Sequence, residues 1–365
     1  MSHARVPFGS PAPREDADAV RDAIARVVQS GWYVLGPEVS AFEAEFAAAS
    51  GAAHAIGVGT GTDAIALILK ALDIGPGDEV ITTPLSAAYT ALAVIMVGAR
   101  PVFADIDPSR HTLSPAAVEA AITPRTRAIL PVHLYGQAAD MRALSAIASR
   151  HGLALVEDAC QAHLATSEGR PVGTIGIAGA FSFYPTKNLG CLGDGGAIVT
   201  SDTALADRLR RLRNGGQTNR YRHAEAGMNS RLDEMQAAIL RARLPYLRGW
   251  TARRRELAAR YRAGLAAAPV AVPAEYDAGH VYHLFVVRTP VRARLQEHLS
   301  AQGIETLVHY PVPIPRQPAL AAQAPADCPE GQRACDEVLS LPLHPGLGTA
   351  DLDAVVASVC AFNEE

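Results

Sequence analysis

The fold is signalled by the stretch from His54 to Leu72, which reads HAIGVGTGTDAIALILKAL. Its first five residues form an apolar run with the length of a buried strand, and the residues after Gly61 have the apolar spacing of a helix. The glycines between these segments allow the chain to turn sharply. A strand followed at once by a helix is the repeating unit of α/β proteins, so this stretch predicts one such unit.

The same alternation continues to about residue 200. Further strand-like runs cover residues 80–83, 101–105, 128–133, 153–156 and 197–200, and helical patterns cover residues 62–72, 86–98, 114–122 and 141–150. This order predicts a mostly parallel sheet with helices on both faces. Binding sites in such sheets lie beyond the carboxyl ends of the strands.

The rest of the chain has a different pattern. Residues 230–267 read as one or two long helices, with Pro245 and Gly249 as interruptions. A strand at 282–288, a helix at 293–302, a proline-rich stretch at 310–318 and a last helix at 350–362 follow. We therefore predict a large domain of residues 1–245 and a smaller α+β domain of residues 246–365, on which the N-terminal segment could also pack.

Composition excludes several classes of protein. Hydrophobic residues make up 49% of the 365 residues, which is ample for a buried core. The net charge of -4 argues against a nucleic-acid partner, because such proteins carry a basic excess. No apolar run approaches the ~20 residues that span a bilayer. Five cysteines without paired spacing predict a reduced, cytoplasmic chain with no metal site.

The glycine-rich segment from Gly57 to Asp63 is a candidate anion site. Glycines let backbone N–H groups close on an anion, and the N-terminus of the following helix adds a partial positive charge. Thr62 or Asp63 could cap that helix. A tight turn with no ligand is the alternative interpretation.

Two further motifs each follow a predicted strand. Asp158 and Gln161 lie in the segment VEDACQ (156–161), and Lys187 lies in FSFYPTKNLGCLGDGG (181–196). A buried ion pair or a helix cap would also account for Asp158, and lysines are usually solvated. Partial burial between aromatic residues and glycines would instead lower the pKa of Lys187 and make it a nucleophile toward a carbonyl.

These motifs together fit pyridoxal phosphate. This cofactor needs a lysine for its Schiff base, an acid for its pyridine nitrogen and a cradle for its phosphate. An ion pair at ~4 Å with an effective dielectric of ~20 is worth roughly 4 kcal/mol. That is about three pKa units, enough to keep the ring nitrogen protonated.

With these residues the chain resembles the DegT/DnrJ family of sugar aminotransferases, which share the aspartate-aminotransferase fold. The resemblance runs nearly end to end and is carried by residues 33–39, 61–63, 156–161, 181–196, 229–238, 282–283 and 309–311. It implies that Lys187 carries the cofactor and that Asp158 pairs with the ring nitrogen. Gln161 would border the ring, and Tyr89 would stack on it.

The resemblance also assigns the phosphate and substrate residues. Ser182 and the backbone of Gly61 and Thr62 would hold the phosphate, and Asn229 would reach the phosphate of the neighbouring subunit in an obligate homodimer. The segment YPTKNLG (184–190) resembles the subgroup that acts on nucleotide-linked 3-keto-6-deoxyhexoses. The sugar would be contacted by Tyr33, Tyr184, His309 and Tyr310, and glutamate would be the amino donor.

Other functions remain open at this point. The closest are amination of a 4-keto sugar or of an aminocyclitol precursor. A nicotinamide-dependent sugar oxidoreductase would use Gly57–Gly61 for a pyrophosphate, but the G-x-G-x-x-G fingerprint is broken and Lys187 has no use. A non-catalytic cofactor-binding regulator is also possible. In a related dehydratase branch a histidine replaces the lysine, and Lys187 argues against that branch.

Overall fold

The computed structural model describes residues 5–9, 11–12, 14–322 and 324–363. Its helices are α1 Ala17–Ser30, α2 Pro37–Ser50, α3 Gly61–Ala71, α4 Tyr89–Met96, α5 Pro115–Ala121, α6 Met141–His151, α7 Thr203–Leu212, α8 Glu234–Arg243, α9 Leu247–Gly264, α10 Arg292–Ala301, α11 Pro318–Ala321, α12 Pro329–Glu337 and α13 Thr349–Cys360. Short 3₁₀ turns lie at Leu134–Gly136, Leu244–Tyr246 and Ile314–Arg316.

The strands form one large sheet and three small pairs. The large sheet contains β1 His54–Val58, β2 Glu79–Thr82, β3 Arg100–Phe103, β4 Thr126–Leu130, β5 Ala154–Asp158, β8 Ala178–Ser182 and β9 Gly196–Thr200. The small pairs are β6 Thr166–Ser167 with β7 Arg170–Pro171, β10 Gln217–Asn219 with β11 Arg222–His223, and β12 Phe285–Arg288 with β13 Val338–Leu341.

The seven-stranded sheet confirms the predicted α/β class. Its order is β1-β9-β8-β5-β4-β2-β3, and every neighbouring pair is parallel except the two that involve β9. Parallel strands are covered on both faces, so their residues are buried on both sides. All four residues of β2 and the last four of β5 are buried accordingly.

Helix α3 shows how the opening stretch folds. Eight of its eleven residues are buried, because it packs on the sheet beside β8 and β9. The predicted cap at Thr62 or Asp63 is wrong: Thr60 is the N-cap, and its hydroxyl accepts a hydrogen bond from the Asp63 N–H at 3.0 Å. The helix therefore begins at Gly61, one residue earlier than the apolar pattern predicts.

The C-terminal part has its own hydrophobic core, built around the β12–β13 pair with helices α9, α10 and α13. Val6 packs into this core and pairs with Ile304, so the N-terminal segment contacts the C-terminal part. Pro245 lies in the 3₁₀ turn between α8 and α9, as predicted, whereas Gly249 lies within α9 and does not interrupt it. In the described part of the chain, no helix has the length and apolarity to cross a membrane.

Candidate active site

The candidate site lies at the carboxyl ends of β5 and β8, which are neighbours in the sheet. Asp158 is the last residue of β5 and Ser182 is the last residue of β8. Lys187 follows in the loop after β8, where its backbone N–H donates to the Tyr184 carbonyl at 2.8 Å. The parallel pairing of the two strands therefore brings the predicted acid and the predicted lysine to one edge of the sheet.

Asp158 is buried and both of its carboxylate oxygens are engaged. Oδ2 accepts from the Thr90 hydroxyl at 2.7 Å, and Oδ1 accepts from the Cys160 N–H at 3.1 Å. These bonds fix the orientation of the carboxylate before any ligand binds. The sequence did not single out Thr90, because nothing in a helical pattern shows which residue faces an acid 68 positions away.

Lys187 has the electrostatics of a reactive amine. Burial lowers its pKa below the usual 10.5, while the nearby Cys160 thiol and Asp158 carboxylate act in the opposite direction. A larger fraction of the side chain is therefore neutral and nucleophilic at pH 7 than in a solvated lysine. This agrees with the sequence-based expectation for a lysine at the end of an aromatic strand.

A small cradle lies beside the two residues. A Cβ added at Gly61 would lie 2.7 Å from the Cys160 Sγ and 2.9 Å from the Ser182 Cβ, so only glycine fits there. The Thr60 hydroxyl accepts a hydrogen bond from the Asp63 N–H. Among the described residues, none accepts a hydrogen bond from the N–H groups of Gly61 and Thr62. These N–H groups, with Ser182 beside them, form a candidate anion site at the N-terminus of α3.

Gln161 links the sheet to the C-terminal part. Its Oε1 accepts from the Tyr135 N–H at 2.7 Å, and its Nε2 donates to the Tyr310 hydroxyl at 3.1 Å. The Tyr135 hydroxyl in turn donates to the His309 carbonyl. These hydrogen bonds connect the predicted substrate residues His309 and Tyr310 to Gln161, which is predicted to border the cofactor ring.

A cavity of about 380 Å³ opens on Lys187, and we call it the Lys187 cavity. His283 and His309 lie in its wall with Asn188, and burial lowers the pKa of His309 to about 4. The N-terminal segment closes one side: the Arg243 guanidinium donates to Asp16 at 2.7 Å and to the Gly190 carbonyl at 2.6 Å. Asp16 and Arg243, near the two ends of the predicted large domain, therefore both help to shape the cavity beside Lys187.

The remaining predicted residues lie at the surface. Tyr89 is the first residue of α4 and is 64% exposed, and Tyr33 and Tyr184 are each 52% exposed. Asn229 is exposed too, and its backbone pairs with Asn214. None of the four makes a side-chain hydrogen bond to Lys187 or Asp158, so their assigned roles stay predictions.

The arrangement fits pyridoxal phosphate. A buried acid for the ring nitrogen, a lysine of lowered pKa and a glycine-built anion cradle lie around one strand edge. Asp158 would hold the ring nitrogen, Lys187 the aldehyde carbon, and Ser182 with the Gly61 and Thr62 N–H groups the phosphate.

Comparison with known proteins agrees with this fit. The model of the DegT/DnrJ/EryC1/StrS aminotransferase family matches residues 14–360. The dTDP-3-amino-3,4,6-trideoxy-alpha-D-glucose transaminase of Streptomyces venezuelae is 53% identical over 99% of this chain and 97% of its own length. The crystal structure of S. venezuelae DesV with a ketimine intermediate has a TM-score of 0.96 at 51% identity and covers 99% of both chains.

A more distant structure contains the cofactor. NtdA from Bacillus subtilis with bound cofactor PMP has a TM-score of 0.90 at 31% identity, covering 98% of this chain and 85% of its own.

Proposed function

Since the chain belongs to the DegT/DnrJ/EryC1/StrS aminotransferase family, we propose that it transfers an amino group to a nucleotide-linked keto-deoxysugar, a dTDP-3-keto-6-deoxyhexose. One observation carries the chemistry: Asp158 ends β5, Lys187 lies in the loop after the neighbouring strand β8, and the two are close enough for the carboxylate to affect the pKa of the lysine. The sugar class is supported by the names of relatives such as the S. venezuelae transaminase and by the segment YPTKNLG (184–190).

Pyridoxal phosphate, when bound, supplies an electron-withdrawing ring that stabilises negative charge on the substrate carbon. The residues of this chain do the rest. Asp158 keeps the ring nitrogen protonated, and the Thr90 hydroxyl holds Asp158 in place. The Lys187 amine would hold the cofactor and, when free, would carry the proton that must leave and return to the substrate carbon.

Glutamate is the proposed amino donor, and its reaction returns a keto acid before the keto-sugar enters. The proposed assembly is a homodimer with shared sites in the cytoplasm. Asn229 is exposed, which leaves its side chain accessible to a neighbouring subunit, as this assembly requires. Free cysteines support the reducing compartment.

The test is incubation of the purified protein with glutamate and a panel of 3-keto and 4-keto nucleotide sugars and keto-inositols, with products identified by mass and NMR. We expect amination of a 3-keto-6-deoxyhexose linked to dTDP. Preferred amination of a 4-keto sugar or a keto-inositol would replace the sugar assignment. A protein that aminates none of these and converts no bound cofactor with glutamate would overturn the proposal.

A further inference from the structure

His283 is a buried group that the proposed function does not use. It is 7% exposed, precedes β12 and lies in the wall of the Lys187 cavity. The Nδ1 of His283 lies 3.2 Å from the Oδ1 of Asn188, the residue that follows Lys187 in the chain. Its Nε2 makes no hydrogen bond to any residue that the structure describes, and it is not sealed from the cavity.

Asn188 fixes which ring nitrogen of His283 carries the proton. The Asn188 Nδ2 donates to the Val281 carbonyl at 3.1 Å, and a carbonyl can only accept. The amide oxygen must therefore face His283, so the Nδ1 of His283 is the N–H that donates to it. In the neutral ring, Nε2 is then left with a lone pair and no hydrogen.

The surroundings keep this ring neutral. Burial lowers the pKa of His283 well below its usual 6.5, and the positive charges of Lys187 and Arg254 lower it further, with smaller effects from His309 and His163. The largest effects on its pKa all act in this one direction. A ring that stays neutral offers the cavity an acceptor and never a donor at Nε2.

We propose that His283 determines substrate specificity by accepting, at Nε2, a hydrogen bond from a hydroxyl group of the sugar in the Lys187 cavity. This inference rests on the proposed function and names a contact that selects its sugar. A buried site that requires a hydroxyl discriminates strongly against an analogue without it, because the site's polar atom is then left unpaired.

The same chemistry excludes the amino donor as the partner. The donor's amine is its reacting group, and its other polar groups are carboxylates, which only accept hydrogen bonds. A carboxylate opposite the bare Nε2 would place two acceptors face to face. A sugar ring offers several hydroxyl donors, and the predicted sugar residue His309 lies in the same cavity wall.

The first test is the variant His283→Phe, which keeps an aromatic ring and removes the acceptor. We expect the calorimetric Kd of the full-length protein for dTDP-glucose, an unreactive nucleotide sugar, and the KM for the keto-sugar to rise about tenfold, or about 1.4 kcal/mol. The KM for glutamate should not change. The matched control is His54→Gln, at the start of β1 and outside the cavity, which should leave both constants unchanged.

The second test converts the acceptor into a donor without removing the ring. In Asn188→Asp, a carboxylate faces Nδ1 and raises the pKa of His283, so that Nε2 carries a proton in acid. A sugar hydroxyl that donates to the bare Nε2 must turn and accept from the protonated one. Sugar binding by this variant should therefore change as the pH falls and recover as it rises, while binding by the wild type stays flat over the same range.

Unchanged Kd and KM for the sugar in a folded, active His283→Phe, or equal changes for sugar and glutamate, would overturn this inference while the proposed function stands. If His283→Phe does not fold, a pH-independent Asn188→Asp overturns it. A wild-type protein that binds dTDP-glucose but aminates no keto-sugar would refute the proposed function alone.

Discussion

The two sides of the candidate site differ in how completely this chain holds them. On the strand side, Glu157 accepts from three backbone N–H groups at 2.7 Å each and from His133 at 3.0 Å, and the next residue, Asp158, has both oxygens engaged. On the other side, Tyr33, Tyr89 and Tyr184 lie at the surface. The acid of the strand side is therefore held in place within one chain, whereas the three tyrosines of the aromatic side are left exposed by it.

This contrast predicts that changes on the strand side act on chemistry and cofactor binding, whereas changes at Tyr33 and Tyr184 act on sugar recognition. Tyr89, the predicted ring-stacking residue, would act on cofactor binding. The strand side should also show the larger effects, because its groups are buried and fully paired.

The largest effect is expected from Lys187→Ala. It removes the amine that carries protons, so turnover should fall at least about a thousandfold. The measurement is the rate of amination with saturating glutamate and keto-sugar. Lys70 is the only other lysine in the chain, and Lys70→Ala, at the end of α3, is the control that should keep its activity.

Borohydride treatment followed by peptide mass mapping should label Lys187 and not Lys70. Labelling of Lys70 in active enzyme, or full activity in Lys187→Ala, would place the chemistry elsewhere.

Asp158→Asn should come next. It keeps the shape and the hydrogen bond from Thr90 but removes the charge that opposes the protonated ring nitrogen, a contribution of roughly 4 kcal/mol at most. We expect turnover to fall about a hundredfold or more and the cofactor absorbance to change with pH. The control is Asp140→Asn, at the cap of α6, which should affect stability alone. Near-normal turnover would contradict the ring-nitrogen role.

Thr90→Val tests the orientation of Asp158 with its charge intact. Loss of one hydrogen bond of about 1 kcal/mol should weaken the affinity for pyridoxal phosphate roughly fivefold, and Thr90→Ser should restore it. Thr82→Val is a matched control, because Thr82 is also buried and donates at 2.8 Å, but to the Leu130 carbonyl. Equal loss of cofactor affinity in both valine variants would reduce Thr90 to a packing role.

The smallest effect is expected on the aromatic side. Tyr184→Phe removes one hydroxyl from an exposed ring and should raise the KM for the keto-sugar about fivefold or less, with the affinity for pyridoxal phosphate unchanged. Steady-state kinetics and a cofactor titration separate the two. A loss of cofactor affinity instead would place Tyr184 on the strand side and remove the contrast.

The sequence predicts the strand side of this molecule well for a physical reason. Buried parallel strands are apolar runs, and a charged residue at the end of such a run, as at Asp158, needs a partner nearby. The α/β class and the grouping of Asp158 with Lys187 follow from that rule. Pro245 interrupts the helices for a different reason, because proline has no backbone N–H to donate.

What the sequence does not reveal depends on tertiary contacts. Thr90, in the first turn of α4, donates to Asp158 at the end of β5, although α4 packs on α3, β2 and β3. Thr60 caps α3, so that the helix begins one residue earlier than the apolar pattern indicates. Gly249 lies inside α9, which is anchored on either side of it by Leu247 and Leu257 in two different hydrophobic clusters. The tautomer of His283 depends on a carbonyl 93 positions from Asn188, at Val281.

The hydrogen bonds from Arg243 to Asp16 and to the Gly190 carbonyl extend the active site to the N-terminal segment of the chain. The two charged side chains are 6% and 3% exposed, so a protein trimmed past residue 16 would leave a guanidinium buried without its counter-charge. Such trimming would loosen the loop that bears the reactive amine. Leader removal, tag placement or proteolytic cleavage near residue 16 would therefore reduce catalytic activity and not merely shorten the chain.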